Sequence, residues 1–339
     1  MRRIGAALFF LILVLSHSLS YAAFPAKEVY ETFSPSVVLV FASIGEGGGM
    51  IGTGSIITDS GHIITNAHVV IDAATGKPYP NIGISLKPAK VTGNMDKDLE
   101  NSYPAEVLYY SNELDLALLL FQGWSKVADS PKGLNAISLA NPEEIKVGEE
   151  VIAIGHPEQG GLWSLTYGRI SGTILDFQNI SGKDVFQTDT NVNRGNSGGP
   201  LLDGRGYMVA VNSNIARVGS GGLPITGVNF SIKSSVVKKW LEGLSVSIAY
   251  GTDSSAGVTI KEEAETGKSK AVSEDKTVST KKTDIKSKEN QEKNDGGDTG
   301  RYSTPSKPYD YEDLLEKLTE ELEGDMDEMR EKARGIRTK

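Results

Sequence analysis

The sequence contains no cysteine. Disulfides, thiolate catalysis and cysteine-ligated metals are therefore excluded, and a secreted chain of this kind must be held by core packing alone. Histidine is almost as scarce, with four in 339 residues, so each can be weighed individually. No excess of positive charge is present. The net charge of -9 argues against a nucleic-acid binder, which needs a basic face. Beyond the first residues no stretch is long and apolar enough to suggest a membrane-spanning helix.

What is present divides the chain unevenly. Arg2 and Arg3 precede an apolar run over 4–15, and Ser20-Tyr21-Ala22 supplies small residues where a signal peptidase reads. Residues 1–22 are read as a signal peptide cleaved after Ala22, with an uncleaved anchor as the competing reading. This places the mature protein in the periplasm or outside the cell, with no stable membrane span after cleavage. No cysteine follows the apolar run, which excludes a lipoprotein anchor.

Residues 23–248 carry the pattern of an all-β domain. A short helix is expected over 27–33, stopped by Ser34-Pro35. Short β-branched runs separated by glycine follow at 36–43, 54–58, 62–65, 82–87, 105–111, 116–121, 150–154, 165–168, 170–176, 184–188, 208–213 and 227–232. Many short strands with turn signals between them indicate a sandwich or barrel. Residues 87–102 read as a polar surface loop. A helix is expected over 234–244, with Val236, Val237, Trp240, Leu241 and Leu244 on one face.

Residues 249–308 are rich in Lys, Glu, Asp, Ser and Thr and nearly free of large apolar side chains, and so read as a disordered linker. Over 309–339, Tyr311, Leu315, Leu318, Leu322, Met329 and Ile336 recur at steps of about three and four. That is the seam of an amphipathic helix. Acidic residues crowd its first half and basic residues its end, which complements the helix dipole. A coiled coil, a docking helix and a solitary charged helix all fit this pattern.

The chemistry concentrates in three strings. Gly195-Asn196-Ser197-Gly198-Gly199-Pro200 sets a serine among glycines. A nucleophilic serine needs an exposed hydroxyl, an adjacent base and backbone N–H donors aimed at the developing oxyanion. Glycines permit the tight turn that brings those donors together. Thr65-Asn66-Ala67-His68-Val69-Val70 sets a histidine just after a strand. Leu114-Asp115-Leu116-Ala117-Leu118-Leu119 sets a carboxylate at the head of an apolar run, where a charge is costly unless paired. The proton on a histidine Nδ1 is a suitable partner. Taken alone, these strings read as a glycine-rich hairpin loop, a solvated histidine and a turn residue.

Taken together they resemble the HtrA (DegP-like) family of bacterial trypsin-like serine proteases. The order His68, Asp115, Ser197 is that of chymotrypsin-type enzymes. Gly52-Thr53-Gly54-Ser55, Gly168-Arg169-Ile170-Ser171, Gln187-Thr188-Asp189 and Gly227-Val228-Asn229-Phe230-Ser231-Ile232 add to the resemblance, which runs from about Lys27 to Leu244. It implies two six-stranded antiparallel β-barrels with a His68–Asp115–Ser197 triad between them. It also implies an oxyanion hole from Gly195, Asn196 and Ser197, and a serine endopeptidase acting on unfolded or exported proteins without metal or cofactor.

In trypsin-like enzymes the residue six before the nucleophile lies at the base of the primary pocket. Here it is Asn191, which argues against cleavage after Lys or Arg, and Phe230 with residues 217–226 would shape the pocket. Arg194 replaces the proline common at that point in the family. No segment suits the PDZ domain that most HtrA proteins carry: 251–308 have the wrong composition and 309–339 are too few. Trimers are usual in the family, and Phe24, Tyr30 and Phe33 are the candidate aromatics for one. Competing readings are a chaperone-like polypeptide binder with a latent triad, and a secreted protease of the same fold from another family.

Overall fold

The computed structural model describes residues 23–45, 48–127, 134–158, 160–213, 227–246, 248, 250–251, 313–320, 322 and 324. The signal-peptide reading of 1–22, nearly all of the linker and most of the terminal helix lie outside these residues.

The strands close on themselves twice. The first barrel is built from β1 (Val37–Ser43), β2 (Gly49–Ile56), β3 (His62–Thr65), β6 (Asn81–Ser85), β7 (Ser102–Ser111) and β8 (Leu116–Phe121). They hydrogen-bond in the order β1-β2-β3-β8-β7-β6 and back to β1. Two short strands, β4 (Ile71–Asp72) and β5 (Lys77–Pro78), form a separate hairpin.

The second barrel comprises β9 (Glu150–Gly155), β10 (Ser164–Ile174), β11 (Val185–Thr188), β12 (Pro200–Leu202), β13 (Met208–Ser213) and β14 (Asn229–Lys233). It closes in the order β10-β11-β14-β13-β12-β9. Every pairing within the two barrels is antiparallel. Closure removes the exposed edges that an open sheet would present.

The period-2 pattern of β1 shows how the barrels are filled and joined. Val38, Val40 and Ala42 pack with Ile56, Ile63, Ile84 and Leu119 in one cluster. Val37, Leu39 and Phe41, on the opposite face, join Leu116 and Leu118 with Ile152, Ile154 and Val211 of the second barrel. Each such side chain contributes about 1.5–3 kcal/mol of burial. The seam between the barrels is therefore as apolar as their interiors.

Several local expectations need correction. The runs read as separate strands over 165–168 and 170–176 are one strand, β10, bent at a register shift between Ile170 and Gly172. Strand β12 (Pro200–Leu202) is not among the expected runs. The segment 87–102 is not a simple surface loop. It contains a helical turn, Met95–Asp98, and buries Leu99 and Asp98. The Asp98 carboxylate accepts from the N–H of Thr92 and Gly93 and from the Thr92 hydroxyl at 2.8–2.9 Å, which holds the loop shut.

The ordered body also passes the expected boundary at 248. Tyr250 bridges to Leu139, and Gly251 N–H donates to the Leu139 carbonyl.

Residues 313–320 are helical and pack onto this body. Leu314, Leu315, Leu318 and Leu322 are buried in the cluster that also holds Phe41. Lys317 pairs with Asp96 on the 87–102 segment. Leu315 lies so close to Gly49 that a β-carbon there would come within 2.8 Å of it. The described part of the terminal helix is thus a docked element, and its seam includes Leu314 in addition to the expected leucines.

The N-terminal aromatics are engaged within the chain. Phe33 is buried, the Tyr30 hydroxyl donates to the Trp163 carbonyl at 2.7 Å, and Phe24 packs edge-on against Tyr167.

Candidate active site

His68 sits in a single helical turn, Ala67–Val70, that follows β3 directly. Asp115 occupies the β7–β8 turn with a positive φ of 59°. Aspartate tolerates that left-handed backbone better than most residues, and such strain concentrates at functional sites. Asn66 locks the turn by donating its side-chain N–H to the Asp115 carbonyl at 2.8 Å.

The Asp115 carboxylate receives three kinds of donor. His68 Nδ1 lies 2.9 and 3.0 Å from its two oxygens. The His68 backbone N–H donates to Oδ1 at 3.1 Å, and the Ser213 hydroxyl donates to Oδ2 at 2.8 Å. Burial alone would raise the Asp115 pKa. The hydrogen bonds and positive charge of His68, with the Ser213 hydroxyl, outweigh it and hold the carboxyl below its ordinary range. An ionised Asp115 fixes the His68 proton on Nδ1 and leaves Nε2 as the basic nitrogen.

Ser197 comes from the other barrel. It is buried, at 4% exposure, in the turn that leads into β12. Its carbonyl accepts from Thr53 N–H of β2 at 2.8 Å, and Gly198 N–H donates to the Asn212 carbonyl at 2.8 Å. The turn is thus hooked to both barrels. Gly198 has a φ of +84°, and a β-carbon there would lie 2.1 Å from Thr65 Oγ1 and 2.9 Å from Asn66 N. That contact sets the serine turn against the strand end that carries His68.

The backbone donors before Ser197 are oriented individually. The Arg194 carbonyl accepts from Glu158 N–H at 2.9 Å. The Asn196 N–H donates to the Asn193 carbonyl at 3.0 Å. That donor is therefore committed to the turn itself, contrary to the expectation that Asn196 serves an oxyanion.

Asn191 is exposed; its carbonyl accepts from the Thr166 hydroxyl at 3.1 Å and from the Asn196 side chain at 3.4 Å. Phe230 stacks on Phe177 with ring centroids 4.7 Å apart. The expected pocket loop over 217–226 lies outside the described residues. His62 bonds Thr58 and Ser60 and takes no part in the site.

Residues 52–211 match the family model described as a trypsin-like peptidase domain. "Protease Do-like 5, chloroplastic" of Arabidopsis thaliana is 34% identical over 243 residues, covering 66% of this chain and 70% of that protein. The chain belongs to the HtrA family of trypsin-like serine proteases. "Periplasmic serine endoprotease DegP" of Escherichia coli (strain K12) is 33% identical over 202 residues, 57% of this chain but 37% of DegP. The chain thus spans little more than a third of its DegP relatives. The fold is also that of the solved "HtrA-type protease AlgW with tripeptide", with TM-score 0.50 and 24% identity over 65% of this chain and 63% of that one.

Against this HtrA background, sequence reasoning overlooked Ser213, Asn66, Thr53 and His156. The signals were the quoted strings 52–55 and 65–70, which contain Thr53 and Asn66, and, for Ser213 and His156, a polar residue at the end of an apolar run. His156 follows β9 and is fully buried, and burial pushes its pKa down to about 3. Its ordinary value is 6.5. The unfolded chain thus takes up this proton near pH 6.5 and the folded chain only near pH 3. The contribution to stability is complete above 6.5 and is lost, by up to about 1.4 kcal/mol per pH unit, as pH falls between the two values. Thermal unfolding should show a larger drop in Tm from pH 7 to 4.5 for the native protein than for His156→Asn. Equal drops would remove His156 as the cause.

Proposed function

We propose that this chain is a serine endopeptidase in which Ser197 is the nucleophile, His68 the general base and Asp115 the residue that orients it. The observation that carries the reading is the His68 Nδ1–Asp115 contact at 2.9 Å, with Ser213 and the His68 backbone completing the carboxylate's shell. Ser197 Oγ attacks the scissile carbonyl carbon as its proton passes to His68 Nε2. The tetrahedral oxyanion is held by the N–H groups of Gly195 and Ser197. His68 then protonates the leaving amine, and water, activated by His68, hydrolyses the acyl-enzyme.

Unfolded or exported polypeptides are the substrates proposed from family membership, and the compartment proposed is extracytoplasmic, as the name of the periplasmic relative gives for that protein. Asn191 and Phe230, with Phe177 beside it, line the primary pocket; the absence of a carboxylate at Asn191 disfavours cleavage after Lys or Arg. Trimers are the assembly proposed from family membership.

The test is labelling of the purified protein with a fluorophosphonate probe, together with digestion of an unfolded protein such as casein. One label per chain, mapped to the peptide containing Ser197, and casein cleavage with few cuts after Lys or Arg are expected. A protein that digests casein while the label maps elsewhere would refute the assignment. One that binds casein without labelling or cleavage would be a polypeptide binder with a latent triad.

A further inference from the structure

Gly195 lies between two peptide planes, and both are pinned from outside the loop. The Arg194–Gly195 plane is held by Glu158 N–H on the Arg194 carbonyl, at 2.9 Å. The Gly195–Asn196 plane is held by the Thr53 hydroxyl, which lies 2.6 Å from the Gly195 carbonyl oxygen. A carbonyl only accepts, so the single hydroxyl proton of Thr53 points at Gly195. The same hydroxyl oxygen lies 2.9 Å from His156 Nδ1. Its proton being committed, the oxygen accepts there, and His156 must carry its proton on Nδ1.

The imidazole is itself fixed. It is fully buried and packs edge-on against Trp163, with ring centroids 4.8 Å apart at 79°. Trp163 Nε1–H donates to the Val37 carbonyl of β1 at 2.8 Å. A continuous run of contacts therefore joins β1 through Trp163, His156 and Thr53 to Gly195. Gly195 needs such a restraint. Its φ is +91°, and a β-carbon would meet the His156 carbonyl oxygen at 1.9 Å, so no side chain can stiffen it. Glycine rotates about φ and ψ more readily than any other residue.

We propose that Thr53 and His156 are positioning residues for catalysis: a buried imidazole–hydroxyl relay that fixes the Gly195–Asn196 peptide plane, against which Gly195 sets its own N–H, in the plane that Glu158 holds, toward the oxyanion. The inference rests on the assignment of Ser197 as nucleophile. The relay fixes one of the two planes that flank a donor used most strongly in the transition state, so its loss lowers kcat and leaves KM nearly unchanged. Removing an oxyanion donor outright costs about 100- to 1,000-fold. Releasing one to rotate costs less, roughly 10- to 100-fold in kcat by the same scale.

Thr53→Val keeps the shape and removes the hydroxyl; Thr53→Ser keeps the hydroxyl. Both are assayed in the full chain with a fluorogenic peptide, a peptide boronic acid that forms a tetrahedral adduct, and the matching unreactive peptide amide. For Thr53→Val, kcat is expected to fall about 10- to 100-fold and boronate affinity to fall in parallel. KM and amide affinity should stay within about threefold, and Thr53→Ser should restore kcat to within about threefold.

If Thr53→Val does not fold, His156→Asn and His156→Leu give the same contrast. The first retains an N–H donor near the Nδ1 position and the second does not. Equal kcat for that pair, native kcat in Thr53→Val, or an equally impaired Thr53→Ser overturns the relay while the nucleophile assignment stands. A native protein that neither cleaves the peptide nor takes the fluorophosphonate overturns both.

Discussion

Replacing Ser197 with alanine is expected to lower kcat for peptide hydrolysis by roughly a millionfold while leaving the folded protein and its affinity for uncleaved polypeptide intact. The size follows from the chemistry. The nucleophile and the base act as a unit, so removing one member forfeits nearly all that the unit contributes. Only the oxyanion donors and substrate positioning remain, worth about 1,000- to 10,000-fold over water. The specificity of the loss follows from the structure. The turn is held by backbone bonds, from Thr53 N–H to the Ser197 carbonyl and from Gly198 N–H to the Asn212 carbonyl, which alanine keeps. Steady-state kinetics on a fluorogenic peptide and an unfolding curve, run side by side, check both halves. Residual turnover above about 1% of native, with the same inhibitor profile, would mean another nucleophile.

Asp115→Asn should cost about 10,000-fold in kcat with little change in KM. The backbone argument comes first: asparagine tolerates a φ of 59° as aspartate does, and the Asn66 side chain still finds the residue-115 carbonyl. The loss is therefore electrostatic and tautomeric. The native carboxylate accepts from His68 Nδ1, the His68 backbone and Ser213, and it needs an acceptor toward every one of them. An amide offers a single acceptor oxygen, so one position faces an N–H₂ group. Facing His68, that group would favour the tautomer with its proton on Nε2, which cannot take a proton from Ser197. Asp115→Glu would keep the charge but displace it, and Asp115→Ala would leave a buried hole, so asparagine is the informative change. Fluorophosphonate labelling should slow in step with kcat. Labelling at the native rate would show that Asp115 has only a structural part.

How much of this was legible beforehand depended on distance along the chain. The β-branched runs and the turn glycines between them are contiguous signals, and the positions of β3, β8 and β13 follow from them residue for residue. Strand β12 was missed because the glycines and proline of Gly198-Gly199-Pro200 speak locally for a turn. Only pairing with β9 and β13 makes Pro200–Leu202 a strand. The 87–102 segment misled in the same way. Its polar composition conceals Asp98, whose carboxylate is buried because Thr92 and Gly93 supply its donors.

The site divides along the same line. His68, Asp115 and Ser197 were legible because each sits in a short string with its own chemical signature. Their supports were not. Ser213 meets Asp115 across 98 residues, and Thr53 meets Gly195 across 142. A serine at the end of an apolar run, or a threonine between two glycines, gives no local sign of what it will touch.

The sequence by itself determined the strand runs, the serine turn and the candidate acid, base and nucleophile, since backbone propensity and turn chemistry act between near neighbours. Barrel closure decided the rest. It brought His68 and Ser213 onto the part-buried Asp115 carboxylate, and set a buried histidine behind Thr53 and Gly195. Those outcomes depend on where distant strands cross. Hydrophobic packing of two closed barrels fixes those crossings, and no linear pattern in the chain records them.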